Sequence, residues 1–287
     1  MLHIVMLFEE YTNFEGDKRG ALREVRFLKS AWELSVGEIP QGTGEPVLFI
    51  PGYLVGNKTT KLARKILAEK GHLTFDTAME EAIDFTDYHF GAITQRLFNI
   101  YEESGKKINL VGHSAGGIIA RQAARLFPDR VGRVITLGSD FNLATSGKVG
   151  GVTAERIFDF LRTRISAKHI DDFIASSHEP PPVPTTSIFT EGDEFVPHSL
   201  SLNPDGAPMA ENVNIFWTNE TLVEGPETRT WKAPGHMGML ASVQALTCIA
   251  DRLATRVDGW QRFDPEQYTV FSQANMLARC ELHLRAA

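Results

Sequence analysis

Cysteine is nearly missing from this chain: Cys248 and Cys280 are the only two in 287 residues. Two thiols in a chain of this size do not make a disulfide framework. Both fall in helical-looking segments, so buried thiols are expected. A basic excess is missing too. Against 36 acidic residues stand 29 basic ones, giving a net charge of −7. Phosphate binding needs a basic surface, so no nucleic-acid partner is expected. No apolar run approaches the ~20 residues that a membrane span needs. Met1-Leu2-His3-Ile4-Val5-Met6-Leu7-Phe8 lacks a preceding basic segment and a small-residue cleavage site. It reads as a first strand rather than a leader, and a cytoplasmic protein is expected.

What is present is ordinary for a globular chain: 43% hydrophobic and 23% charged residues, without an internal repeat. The length suits one large α/β domain over residues 1–287. Lys18 to Leu34 has apolar residues near helical spacing. Pro46–Ile50 is a short, wholly apolar run, which suits a strand buried on both faces. It enters the glycine-punctuated loop Pro51-Gly52-Tyr53-Leu54-Val55-Gly56. A helix is expected from Thr59 to Glu69, stopped by Gly71. A strand at Leu73–Asp76 and a helix over Asp87–Glu103 follow.

Further strands are expected at Ile108–Val111, Arg133–Gly138, Thr185–Thr190 and Asn212–Trp217, and a helix at Met239–Val257. Residues 139–184 contain no strand-like run, and 142–182 is expected to form a lid or cap insertion between two strands. Residues 258–287 read as a C-terminal helical appendage. Strands alternating with helices predict a doubly wound, mostly parallel sheet. Ligands then bind outside the carboxyl ends of the strands.

One of those ends carries Gly112-His113-Ser114-Ala115-Gly116-Gly117, between the apolar run Ile108–Val111 and the helical pattern Ile118–Leu126. Strand, sharp turn and helix with serine at the tip of Gly-x-Ser-x-Gly is the nucleophile elbow. Side chains at 112 or 116 are expected to collide with the neighbouring strand or helix. The helix N-terminus turns its free N–H groups toward the same spot.

A serine hydroxyl needs an imidazole as base, and the imidazole needs an acid to hold its tautomer. With this elbow they follow in chain order acid, then histidine. The strand Thr185–Thr190 runs into Glu191-Gly192-Asp193-Glu194-Phe195-Val196-Pro197. Asp193 is the expected acid; Asp140, just past the strand ending at Gly138, and Glu191 compete with it. As a plain turn former beside Gly192, Asp193 is also in keeping with its residue type. His236, in Pro234-Gly235-His236-Met237-Gly238 before an apolar helix, is the expected base. His198 lies only five residues past Asp193, too close to cross the site. His113 sits inside the elbow and reads as a substrate-contacting wall rather than a base. The tetrahedral oxyanion needs two backbone N–H groups. Ala115 supplies one. Tyr53 is expected to supply the other, with Leu54 as the alternative donor and a second substrate contact.

On these motifs the chain resembles the α/β-hydrolase superfamily, and within it the bacterial lipase- and esterase-like serine hydrolases that carry Gly-His-Ser-x-Gly-Gly. The matching stretches run from Pro46 to Phe141 and from Val183 to about Ala254. The chain departs at Pro51, where many lipases have histidine, and in the acidic run Glu191–Glu194. The resemblance implies an α/β-hydrolase sheet whose lid follows the sixth core strand. It also implies Ser114, Asp193 and His236 as the triad, with no metal and no cofactor. The expected activity is hydrolysis of a small-molecule or lipid carboxylic ester through an acyl-enzyme. The same triad serves acyltransferases, thioesterases and polyester hydrolases. A non-catalytic receptor on this fold fits poorly with a complete set of nucleophile, acid and base.

Overall fold

Pro46–Ile50 carries no polar residue, so it is favourable only where both of its faces are covered. It forms β1, with all five residues buried. In the computed structural model the described residues are 39–52, 55–79, 87–143, 175–215, 234–255 and 257–271. Five more strands follow β1: β2 (Leu73–Phe75), β3 (Ile108–His113), β4 (Val131–Leu137), β5 (Thr185–Phe189) and β6 (Ala210–Asn214). They make one sheet in the order β2-β1-β3-β4-β5-β6, and every neighbouring pair is parallel. The helices are α1 (Lys61–Glu69), α2 (Asp87–Ser104), α3 (Ala115–Leu126) and α4 (Val243–Ala254).

Alternation along β1 builds the two sides of the core. Val47 and Phe49 join a cluster with Leu62, Ile66, Leu246 and Ile249 from α1 and α4. Leu48 and Ile50 join Ile93, Leu97, Ile119 and Ala123 from α2 and α3. Successive side chains of a strand point to opposite faces, so the helices cover the sheet on both sides. The doubly wound parallel sheet expected from the sequence is present.

The chain steps outward from β1 to β2, then crosses back over β1 to β3 and continues the other way. The winding therefore reverses between β1 and β3, where this class of sheet opens a ligand crevice at its carboxyl edge. Register makes that edge level. Ile50 pairs with Gly112, His113 with Leu137, Leu137 with Ile188, and Phe189 with Asn214. The loops leaving 50, 113, 137 and 189 consequently share one rim.

Helix ends follow local chemistry. Gly71, at φ +86°, ends α1 as expected, with its N–H on the Ala68 carbonyl and the His72 N–H on Leu67. Among the boundaries that differ from the sequence reading, three are informative. β4 begins at Val131 rather than Arg133, and β6 spans 210–214 instead of beginning at Asn212. Glu211 hides the start of β6 because it is a charge at a core position. Its carboxylate is 4% exposed and takes bonds from Thr186 Oγ1, Arg252 Nη1 and the Phe263 N–H. The helix expected from Met239 is split. Gly238–Ala241 is a 3₁₀ turn, Ser242 is extended at ψ 128° and caps the Ala245 N–H, and α4 starts at Val243.

The strand and helix expected before residue 39, and Cys280, lie outside the described residues. So do residues 144–174 of the expected lid, which follows the fourth described strand. Its described end is tied to α3. Arg121, fully buried, donates to the carbonyls of His178 and Glu179 and to Asn203 Oδ1, and its guanidinium stacks on Phe141 with 3.7 Å to the ring centre. Of the expected appendage, the part up to 271 contains three short 3₁₀ turns. Phe263, Val270 and Phe271 pack into the α1–α4 side of the core. Cys248 is a fully buried thiol in α4, and burial pushes its pKa well up. No described helix is long and apolar enough to cross a membrane.

Candidate active site

Ser114 joins β3 to α3 in a backbone conformation that favours glycine, φ +54° and ψ −127°. A side chain held there costs about 1–3 kcal/mol, which the surrounding structure must over-determine. Three glycines make that possible by letting backbones touch. A Cβ on Gly112 would lie 2.5 Å from the Gly116 carbonyl, and one on Gly116 would lie 2.2 Å from the Ile50 carbonyl oxygen. One on Gly117 would lie 2.0 Å from Ser139 Oγ. The expected collisions at 112 and 116 are therefore present in the geometry. They let α3 start directly against β3 and β1. The Ser114 N–H is fixed on the Leu137 carbonyl at 2.8 Å. Ala115, 5% exposed, opens α3 with the helix's positive end at the serine. Tyr53 and Leu54 lie outside the described residues. Gly52 of the same loop is adjacent: a Cβ on it would lie 3.1 Å from Ser114 Cβ.

Two loops of the same rim bring an acid to a base. His236 Nδ1 is 2.8 Å from Asp193 Oδ2, with side chains 9% and 2% exposed. The carboxylate can only accept, so Nδ1 carries the hydrogen and Nε2 keeps the lone pair. The other carboxylate oxygen, Oδ1, accepts the N–H groups of Phe195 at 2.9 Å and Val196 at 2.8 Å. A buried carboxylate with three donors is satisfied and held rigid. Of the competing acids, Glu191 is exposed and Asp140 lies on the turn after β4.

The structure adds three residues to those expected, and gives His113 a contact with His236. Glu194 Oε2 accepts the His236 backbone N–H at 3.3 Å. His113 Nε2 is 2.9 Å from the His236 carbonyl, and the two rings sit 4.7 Å apart. His113, expected to contact substrate, is 1% exposed. Burial, with a smaller push from His236, lowers its pKa to about 3 against the pull of that carbonyl and of Asp193. It is therefore neutral and donates from Nε2. Gly138, at φ +50°, lies under the acid–base pair. A Cβ there would be 2.7 Å from Asp193 Oδ2, 3.2 Å from His236 Nδ1 and 2.3 Å from Met239 Cε. Phe195, 58% exposed, sits with its ring 5.4 Å from that of His236. Position directly after the acid was a signal for Glu194 and Phe195. Nothing local marks Gly138 or the role of His113, since both depend on which loop crosses them.

The site therefore holds a strained serine on the elbow and, on the same rim, a carboxylate–imidazole pair of fixed tautomer. Such a pair accepts a proton at Nε2 and stabilises the imidazolium that forms.

Comparison with the curated proteins gives no match. Among solved structures, mouse alpha/beta hydrolase domain-containing protein 10 is similar at 20% identity, covering 74% of this chain and 90% of that one, with a TM-score of 0.47. MGS-MChE2, an alpha/beta hydrolase enzyme from the metagenome of lagoon sediments of Mar Chica, Morocco, is similar at 18% identity, covering 74% and 91%, with a TM-score of 0.47. A monoacylglycerol lipase of Paleococcus ferrophilus is similar at 16% identity, covering 61% and 86%, with a TM-score of 0.42. The family model for the alpha/beta hydrolase fold matches residues 74–164, a stretch that contains the elbow. That match and the parallel sheet beneath the elbow are those of the alpha/beta hydrolase fold.

Proposed function

We propose that this protein is a serine hydrolase of carboxylic esters. The observation that carries the reading is the 2.8 Å bond from His236 Nδ1 to Asp193 Oδ2, on the same rim as the positive-φ Ser114. Ser114 Oγ attacks the acyl carbon while His236 Nε2 takes its proton. The oxyanion accepts bonds from the N–H of Ala115 and from the Tyr53 loop. The imidazolium then gives its proton to the departing alkoxide. Water, deprotonated by the same nitrogen, attacks the acyl-enzyme and releases the acid and Ser114.

Covalent labelling by a fluorophosphonate tests the nucleophile. Wild type is labelled and Ser114→Ala is not; equal behaviour of the two refutes an enzymatic serine. His236→Ala stays folded and loses nearly all turnover of a p-nitrophenyl ester. Asp193→Asn lowers kcat by about 10⁴-fold, the scale for an imidazole held in the wrong tautomer. A loss of that size in Asp140→Asn instead moves the acid to the loop after β4.

A further inference from the structure

The imidazole of His236 has two ring neighbours of opposite character. His113 is 1% exposed, with ring centres 4.7 Å apart. Phe195 is 58% exposed, with ring centres 5.4 Å apart. Large exposed apolar side chains are few among the described residues, and this one stands at the proposed base. Its exposure is not that of a loose loop. The Phe195 N–H is held at 2.9 Å by Asp193 Oδ1, whose partner oxygen binds His236 Nδ1. One carboxylate thus orients the imidazole and sets the aromatic ring beside it. An aromatic ring exposed beside the imidazole, on backbone anchored to the same carboxylate, is a surface prepared for an apolar group.

Chemistry says which part of a substrate meets it. In acyl transfer the imidazolium protonates the oxygen of the departing alcohol, so that alcohol lies against the imidazole when the C–O bond breaks. The acyl chain leaves the same carbon in another direction. We propose that Phe195 is a wall of the leaving-group subsite and selects esters whose alcohol portion is apolar. This rests on the ester-hydrolase reading and adds the class of alcohol to it.

Two ester series separate alcohol from acyl selection. The first fixes the acetyl group and varies the alcohol: methyl, butyl and benzyl acetate. These alcohols are of similar basicity, so the chemistry of departure stays nearly constant. The second fixes methanol and varies the acyl chain: methyl acetate, butyrate and hexanoate. Wild type is expected to prefer butyl and benzyl over methyl in kcat/KM. Phe195→Ala lowers the benzyl-to-methyl ratio by roughly 10-fold, the scale of one lost apolar contact, and leaves the hexanoate-to-acetate ratio unchanged. Phe195→Leu keeps the preference for butyl and guards against a folding artefact of the alanine variant. Fluorophosphonate labelling of Ser114 is measured in parallel. Intact labelling with an unchanged benzyl-to-methyl ratio, or with the acyl series moved instead, overturns the assignment of Phe195 alone. Absence of labelling and turnover in wild type overturns the ester-hydrolase reading, and this inference with it.

Discussion

His113 donates its Nε2–H to the backbone carbonyl of His236 across 2.9 Å, joining residues 123 positions apart in sequence. Glu194 holds the other polar group of the same residue, its N–H, at 3.3 Å. The proposed base is thus gripped at both ends of its backbone and at Nδ1 of its ring, by the elbow strand and by the acid loop. Rotation of the imidazole would break the bond to Asp193, and displacement of its backbone would break the other two.

His113→Ala removes one of these grips and leaves a buried carbonyl without its donor. The loss of stability is expected at about 1–3 kcal/mol. The more specific readout is kinetic. A base displaced by a fraction of an ångström costs turnover rather than binding, so kcat falls roughly 10- to 100-fold with KM near wild type. A loss confined to KM speaks against positioning.

The buried imidazole of His113 also ties stability to pH. Its folded pKa is about 3, against about 6.5 in an unfolded chain. Between those values the unfolded chain binds a proton that the folded one does not. Its contribution is whole above pH 6.5 and is lost as the pH falls toward 3. Relative to His113→Gln, wild type should lose about 2 kcal/mol between pH 6.5 and 5. Urea unfolding at both values measures it; parallel curves for the two proteins would show that the group titrates normally.

Ser114→Gly should be more stable than wild type although it cannot be acylated. Glycine accepts φ +54° freely, so relief of strain exceeds its extra unfolded entropy by about 1 kcal/mol. For a domain of this size that is roughly 2 °C in Tm. Ser114→Ala keeps the strain and should melt within a degree or so of wild type, about 0.5 kcal/mol or less. Calorimetry of the three proteins decides it, and a glycine variant that melts first refutes a strained elbow.

Gly138→Ala tests the floor beneath the acid–base pair. The added methyl meets Asp193 Oδ2 at 2.7 Å, where two bonded residues must move to make room. Turnover is expected to fall about 100-fold, with destabilisation of about 1–3 kcal/mol. The comparison is Gly105→Ala, whose glycine also has positive φ, +65°, but opens onto empty space. It should lose stability and keep kcat. Equal kcat losses in the two variants would remove the special role of position 138.

Much of the site was legible because its rules are local. Gly112 and Gly116 had to be glycine for a serine turn between a buried strand and a helix, and their Cβ positions fall inside neighbouring backbone. The bond between Asp193 and His236 agrees with the pairing read from the sequence, which rested on loops at one rim of a parallel sheet. Other features were hidden for a stated reason. Glu211 opens β6 as a charge in the core, balanced by Arg252 and Thr186 from elements far along the chain. Ser242 broke the expected helix because its side chain caps Ala245, which a periodic apolar pattern does not reveal.

The sequence by itself determined the elbow and the class of sheet and named the candidate acid and base, since each follows from spacing and sterics within a few residues. Only the tertiary structure decided what surrounds the imidazole: the buried His113, the exposed Phe195 and the close approach of Gly138. The bonds that set this arrangement span 43 and 123 residues. Both end on His236, which lies beyond β6, so they exist only where packing brings its loop against the level ends of β3 and β5.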